Sequence, residues 1–323
     1  MFFERFTETE IGKSSSELEK KVEALKELQK KYPDDERIKR DLRTAEFGLK
    51  GEQQIEYELK NANLGMYVLH DINLKYEDLN AQIDFVVITK AAIYFIESKN
   101  LFGNITVDNN GNFTRECIYD GKKLKEAIYS PYAQAERHRD VMKKIWLASH
   151  NKVVTSILNK SFDDWYRSLV VIANPKSVLN VKYAPKEIKD RIIKLDSLVR
   201  YLKKDISRTS KINLSTKKEI YDSGANMLSL HQDINIDYEK IYGKKSEQDK
   251  EQIKNELVEF RKVRAKERSI PAYYVFTDAE LEEIIEKMPT TIEELSDILV
   301  KIKILCHGED IIKIINRVWY NII

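Results

Sequence analysis

The chain begins in a helical period. From Ser14, SSSELEKKVEALKELQKKYPDDERIKRDL carries a serine cap, early glutamates and a run of helix formers up to a break at YPDD. This predicts one helix ahead of Tyr32 and a second from about Asp35 through GLKGEQQIEYELKNA, ending near Asn63 or Gly65. The period then shortens. YVLHDINL, IDFVVIT, AIYFIES, NITVD and NFTRECIY are short, rich in Val, Ile, Tyr and Phe, and separated by turn residues, with DNNGN marking a hairpin. They predict a small, largely antiparallel sheet. After YDGKK the pattern turns helical again, with Pro131 at a helix start in SPYAQAERHRDVMKKIWLA. SLVVIAN is nearly all apolar, as in a strand buried on both faces, IIKLD reads as one more strand, and SLVRYLKK as a helix. That order is the one of an α/β domain whose helices pack on a mixed sheet.

From Lys203 to about Asp249 the chain is polar and mixed, a connecting segment with some helix in STKKEIYDSGANML. From Glu251 onward the pattern is helical throughout. EQIKNELVEFRKVRAKERS breaks at Pro271, TDAELEEIIEKM opens with a capping box from Thr277 to Glu280 and breaks at Pro289, and TIEELSDIL and GEDIIKIINRVWY follow. The result is a compact bundle of short helices, a second domain.

A length of 323 residues accommodates two domains of ordinary size, and 42% apolar with 33% charged residues places the chain among soluble globular proteins. Cys117 and Cys306 are too far apart for metal-type spacing or a disulfide framework, and the five histidines form no paired motif, which argues against a structural zinc or haem site. The opening MFFERFTETE has no signal-peptide layout and no run is of membrane length, so a cytoplasmic location is expected. The formal charge of +2 hides an uneven distribution: Lys176 to Lys218 holds 13 Lys or Arg against 4 Asp or Glu. Such a block marks either a surface that meets polyanions or a solvated helix and loop.

Candidate chemistry lies in QIDFVVITKAAIYFIESKNLFG, residues 82–103. With Lys90 and Ala91 as a two-residue turn, paired positions sum to about 181, and Asp84 falls opposite Glu97. Side chains directly across a pair stand about 5 Å apart, and Lys99, two residues beyond Glu97, shares its face. Gln82 stands two residues before Asp84 on the same strand face. Two adjacent carboxylates repel, and a hard divalent cation relieves that repulsion. A Mg²⁺ (or Mn²⁺) held by Asp84, Glu97 and a backbone carbonyl, that of Ser98, would activate water against a phosphate, with Lys99 orienting the water or steadying the transition state. The alternative is an ordinary strand-end ion pair of Glu97 and Lys99, with Asp84 in a turn.

GLKGEQQIEYEL on a helix, then YVLHDINL, QIDFVVITKAAIYFIESKNLFGNI, SPYAQAERHRDVM and SLVVIAN together resemble the nuclease-related domain, NERD, of the PD-(D/E)xK nuclease-like superfamily, over about Ala45 to Lys204. The resemblance implies a restriction-endonuclease-like α/β domain and a Mg²⁺-dependent nuclease. It also implies that Asp84 and Glu97 bind the metal, that Lys99 completes the site, that Glu52 adds a metal contact, and that Gln134 positions substrate or a metal-bound water. Taken alone, Glu52 is one acid among several on an exposed helix, and Gln134 is one turn from His138, with which it can pair. DNA rather than RNA is the substrate that family analogy favours, and Lys182, Lys186, Lys189, Arg200, Lys203 and Lys204 are the candidates for tracking its backbone. A catalytically silent nucleic-acid-binding or adaptor protein on the same fold is the competing reading.

LVEFRKVRAKERSIPAYYVFTDAELEEIIEKMPTTIEELSDILVKIKILCHGEDIIKIINR resembles the helicase-and-RNase-D C-terminal domain, HRDC, over about Glu251 to Arg317. Its basic residues gather in the first helix, where Arg261, Lys262 and Arg264 are candidates for phosphate contacts. Residues 250–323 are nonetheless not basic overall, with 12 basic and 14 acidic residues. No glycine precedes Gly308 in ILVKIKILCHG, where that family carries a glycine-containing turn. There is no GxxxxGK[ST] loop, so any helicase activity would come from a partner bound through this domain. The expected layout is a helical region over 1–44, the nuclease-like domain over 45–204, a partly helical linker over 205–249 and the helical domain over 250–323.

Overall fold

The computed structural model describes residues 6–119, 121–149, 162–210, 214–243 and 247–320. The chain divides into two compact units, Met1–Gln29 with Asp34–Asn235, and Lys30–Pro33 with Ile236–Ile323. No described helix is long and apolar enough to cross a membrane.

The first unit is built on a six-stranded mixed sheet in the order β1-β2-β3-β4-β8-β10 and a four-stranded sheet in the order β7-β6-β5-β9. The strands are β1 (Thr9–Lys13), β2 (Met66–Tyr76), β3 (Leu79–Thr89), β4 (Ile93–Lys99), β5 (Asn104–Val107), β6 (Phe113–Tyr119), β7 (Lys122–Ile128), β8 (Tyr166–Ile172), β9 (Val178–Asn180) and β10 (Ile192–Lys194). The helices are α1 (Glu17–Lys31), α2 (Glu36–Lys60), α3 (Pro131–Ala148), a short α4 (Lys186–Lys189), α5 (Leu198–Arg208) and α6 (Lys217–Leu230). Each face of the larger sheet has its own apolar core. On one, Ile55 and Leu59 of α2 and Leu198 and Leu202 of α5 meet Phe85, Tyr94, Ile96 and Leu169; on the other, Val141 and Met142 of α3 and Ile220 and Met227 of α6 meet Val86, Ile88 and Phe95. This is a mixed sheet flanked by helices, the fold class expected.

Several elements differ from the expectation. The N-terminal region, expected to be helical, opens with β1, which pairs parallel to β2. The sheet is two sheets. Residues 122–128, KKLKEAI, are not helical but form β7, paired antiparallel to β6 around Gly121, whose φ of +72° suits glycine. The helix expected in STKKEIYDSGANML is present as α6, with a Thr216–Glu219 capping box, but instead of merely connecting the domains it is buried against the sheet through Ile220 and Met227. The hairpin register holds: Phe85↔Ile96, Val86↔Phe95, Val87↔Tyr94 and Ile88↔Ile93 pair as the two-residue turn requires.

The second unit holds α7 (Tyr238–Tyr242), α8 (Glu247–Glu267), α9 (Asp278–Lys287), α10 (Ile292–Ser296), α11 (Lys301–Lys303) and α12 (Glu309–Tyr320). Its core gathers Leu257, Val275, Phe276, Ile284, Leu295 and Ile311. The capping box is present: Glu280 N–H donates to Thr277 Oγ1 at 3.1 Å and Thr277 N–H to Glu280 Oε2 at 2.6 Å. Met288 closes α9 in the left-handed region with φ +47°, just before Pro289.

A glycine decides how closely α2 lies on the strand ends. A Cβ at Gly51 would stand 2.7 Å from Asn100 Cβ and 3.3 Å from Ala173 Cβ, whereas one at Gly48 would meet only Leu18 Cδ2 at 3.3 Å. Gly51→Ala should therefore destabilise the chain by about 1–3 kcal/mol despite alanine's better helix propensity. Gly48→Ala should be neutral or stabilising by up to about 1 kcal/mol. Urea denaturation of the two variants beside the parent checks the contrast; equal behaviour would show that α2 does not need the close approach.

Candidate active site

The sheet is interrupted at one pair. On β2, Met66 and Val68 face the α2 core and Leu69 the α3 core, but beyond Asp71 the even positions Ile72 and Leu74 face α3. On β3 the parity changes at the same level: Ala81 and Ile83 face α3 before Asp84, and Val86 and Ile88 do so after it. The pairing continues in one register from Met66↔Thr89 through His70↔Phe85 and Ile72↔Ile83 to Tyr76↔Leu79, skipping only residues 71 and 84. Asp71 takes the left-handed conformation at φ +56°, which Asp tolerates better than most residues. Lys13 of β1 holds the deformation, its Nζ donating to the carbonyls of His70 (2.9 Å) and Asp71 (2.8 Å). Asp71 Oδ2 accepts the Glu17 N–H at the start of α1 at 2.7 Å.

On the other side of β3, the ladder to β4 ends at Phe85↔Ile96. Ser98 N–H, left without a strand partner, donates to Asp84 Oδ2 at 2.6 Å. Asp84 is thus turned along the sheet edge to cap β4, rather than standing upright opposite Glu97 as a regular hairpin would place it. In an extended strand the N–H and C=O of one residue face the same edge, so the Ser98 carbonyl is directed to the Asp84 side as well. Glu97 is 2% exposed, and Lys99 Nζ donates to its Oε1 at 2.5 Å. Its Oε2 is buried with no hydrogen-bond partner among the described residues. His138 Nδ1 of α3 lies 3.5 Å away, too long for a hydrogen bond, and the ring is neutral, its pKa lowered to about 4 by burial and by the charges of Arg137 and Lys99.

Glu52 reaches the site from α2, its Oε2 2.8 Å from His70 Nε2. His70 Nδ1 stands 3.1 Å from the Ser14 carbonyl, and the ring stacks on Phe85. Both ring nitrogens face acceptors, an arrangement that suits the doubly protonated ring. Burial opposes that charge, but Glu52 and the Ser14 carbonyl outweigh it, and the His70 pKa lies above its ordinary value. Asp84 is held well above the usual carboxylate range, by burial first and then by the charges of Glu97 and Glu52; the Ser98 N–H and Lys99 only partly offset this. Glu97 is raised too, by burial against the opposing charge and hydrogen bond of Lys99, with Glu52 adding to the rise.

The structure therefore brings Asp84, Glu97, Lys99, Ser98 and Glu52 together at one end of the sheet. Gln134 stands one turn before His138 on α3, and no hydrogen bond joins the two. Gln82 is directed elsewhere, its amide donating to Asp71 Oδ1 at 2.8 Å. His70 and His138 are the site residues that sequence reasoning missed: LHDI puts His70 directly across from Phe85, and the Gln134–His138 spacing is visible in the sequence, where His138 enters only as a candidate partner of Gln134. Among the described residues no group of three or more His, Cys, Asp or Glu forms a ready metal cage. Glu52 is engaged by His70 and one Glu97 oxygen by Lys99, which leaves Asp84, Glu97 Oε2 and the Ser98 carbonyl. That oxygen-only set, with a buried acceptor lacking a partner and two carboxyls resisting ionisation, fits a cation that keeps several of its waters.

The cationic candidates divide into two groups. Lys182, Lys186, Lys189, Arg200, Lys203 and Lys204 are all exposed in the first unit. In the second unit, Arg261 pairs with Asp278 at 2.7 Å and donates to the Phe276 carbonyl at 3.1 Å, and Arg264 pairs with Glu267 and Asp310 at 2.9 Å each. Lys262 lies 3.7 Å from Glu259 and remains open to solvent. The two arginines are thus already engaged by groups of their own bundle.

Comparison with curated proteins returned no match. Residues 47–173 match the model of the nuclease-related domain, NERD, and residues 250–315 that of the HRDC domain. The first match takes in the C-terminal half of α2 with Glu52, both metal-candidate carboxylates, Lys99, His138 and β8. The two matches give the first unit a nuclease-related character and associate the second with nucleic-acid binding. The chain thus carries a nuclease-related domain followed by an HRDC domain.

Proposed function

We propose that the protein is a metal-dependent nuclease that hydrolyses phosphodiester bonds, of DNA in preference to RNA. The observation that carries this reading is the carboxylate pair of half-buried Asp84 and buried Glu97 at the sheet end, with Glu97 Oε2 free of any hydrogen bond among the described residues beside the ammonium of Lys99. Asp84, Glu97 Oε2 and the Ser98 carbonyl would hold a Mg²⁺ or Mn²⁺ ion; when bound, it supplies a water of lowered pKa and neutralises charge growing on the phosphate. Lys99, fixed by Glu97, offers its remaining N–H donors to the attacking water or to the phosphoryl oxygens. Glu52, held by His70, would add a further carboxylate acceptor beside that set. Neutral His138 closes the α3 side without bringing a competing positive charge. The exposed lysines and arginine from Lys182 to Lys204 are the surface for the substrate backbone, giving largely sequence-independent and salt-sensitive affinity. The HRDC domain would add a second nucleic-acid contact, or dock a helicase or other partner acting on the same nucleic acid.

One observation favours the silent adaptor: Lys99 pairs with Glu97 Oε1 as in an ordinary structural ion pair. A cleavage assay separates the two. Purified protein should cut linear, circular or single-stranded DNA or RNA with Mg²⁺ or Mn²⁺ and not with chelator, and Asp84→Ala or Lys99→Ala should each lower the rate about a hundredfold or more. Cleavage that survives both substitutions would sink the site assignment, and binding with no cleavage by the parent chain would favour the adaptor.

Metal binding has a second readout. Both carboxyls titrate higher in the folded than in the unfolded chain. From about pH 4 up to those raised values, the native state therefore holds more protons than the unfolded one, and stability declines as pH rises. Asp84→Asn should raise the melting temperature of the metal-free protein at pH 7 by about 2–4 °C and flatten that decline. Mg²⁺ should raise the melting temperature of the parent but not of Asp84→Asn. An equal Mg²⁺ response in both would place the ion elsewhere.

A further inference from the structure

Helix α3 serves two places. His138 reaches toward Glu97, whereas Tyr132, Glu136 and Arg139 line a separate, solvent-open cavity of about 790 Å³, whose other walls are β8, α4 and α5. Ser168 in its wall precedes Val170, the ladder partner of Glu97, by two residues, roughly 7 Å along the strand. The volume is that of a small-molecule site, within the usual range of about 300–1,000 Å³.

The charges in this cavity are sorted. Three carboxylates are engaged: Glu136 with the Ser168 hydroxyl and Arg139, the exposed Asp163 with Arg139 and Lys143, and Asp205 with the buried Tyr94 hydroxyl and Arg167. Around them stand Lys186, Lys189, Arg191, Lys204 and Arg208, none with an ion-pair partner among the described residues. Two exposed carboxylates of the α4 turn, Glu187 and Asp190, are interspersed with these five cations. Tyr132, Tyr166 and Tyr201 supply aromatic wall on three elements, and Arg191 Nη1 is 3.5 Å from the Tyr201 hydroxyl.

A purely solvated basic face needs no aromatic hollow beneath it, and an apolar ligand would not require five cations. Unpaired guanidinium and ammonium groups recognise phosphate oxygens, tyrosine rings stack on bases, and free carboxylates accept from ribose hydroxyls. We propose that this cavity binds a phosphorylated nucleoside, as a free nucleotide or as the terminal nucleotide of a strand. The proposal does not rest on hydrolysis at Asp84 and Glu97.

The test uses the full chain carrying Asp84→Ala, so that no strand is consumed, in chelator, titrated with a fluorescent ATP analogue. Saturable binding is expected, displaced by ATP or by a 5′-phosphorylated oligonucleotide. The double variant Lys204→Glu, Arg208→Glu and, separately, Tyr132→Leu should weaken it about tenfold or more with the circular dichroism unchanged. Stronger displacement by ATP would identify a free nucleotide as the ligand and stronger displacement by the oligonucleotide a strand end; either supports the assignment. Absence of saturable binding, indifference to both variants, or displacement by inorganic pyrophosphate as strong as by ATP would overturn it. Since binding is read without turnover, failure here leaves metal-dependent cleavage by the parent chain intact, and loss of that cleavage leaves this binding intact.

Discussion

The site depends on one interruption of the β-ladder. At the level of Asp71 and Asp84 two adjacent strands exchange the faces of their apolar residues without slipping register. A regular hairpin would have pointed Asp84 into one of the two cores or buried it under a helix, where a carboxylate is costly. The interruption instead frees Asp84 to cap the Ser98 N–H at the sheet edge, and it ends the β3–β4 ladder where Glu97, Ser98 and Lys99 follow. What keeps the interruption in place comes from far away in sequence: Lys13 on the carbonyls of His70 and Asp71, and the N-terminal turn of α1 on the Asp71 carboxylate. The N-terminal strand is therefore part of the support of the site.

That geometry sets the electrostatics. Asp84 and Glu97 stand close to each other and to Glu52, and burial and the neighbouring carboxylates raise the pKa of both; Lys99 and, at Glu97, Arg137 bring compensating charge, while Glu52 pairs with the His70 ring. The compensation is uneven. Lys99 satisfies one oxygen of Glu97, His70 satisfies Glu52, and Asp84 has the Ser98 N–H, so a deficit of positive charge remains at Glu97 Oε2. A neutral His138 3.5 Å from that oxygen does not fill it. Residual frustration of this kind is what a binding site retains and a purely structural ion pair would have lost.

Much of this was legible in the sequence, for identifiable reasons. The register of the hairpin followed from a two-residue turn and from period-2 alternation, both local properties, and the capping box at Thr277 is a pattern spanning four residues. The convergence of Asp84, Glu97 and Lys99 followed from that register. What escaped reading was non-local. KKLKEAI has helix-forming composition and is a strand because β6 pairs with it; TEIGK is too short to declare itself without β2 beside it; α6 looks polar because only Ile220, Gly224 and Met227 face inward. The turned-aside Asp84 carboxylate depends on Lys13, about 70 positions earlier, and on a positive φ at Asp71 that no composition announces.

The same distinction separates the basic residues. Clustering in sequence marked both the Lys176–Lys218 block and the first helix of the second unit, yet only geometry tells free charge from charge already used. Arg261 and Arg264 are matched to carboxylates and a carbonyl of their own bundle, so removing them would loosen packing before it weakened any phosphate contact. Lys186, Lys189, Lys204 and Arg208 are held near one another by α4 and α5 with too few carboxylates to neutralise them. Like charges gathered this way repel, and the fold accepts that repulsion at an aromatic-lined hollow two residues along β8 from the partner of Glu97. An anionic ligand relieves it, which makes unneutralised charge in a shaped cavity a stronger sign of function than charge counted along the chain.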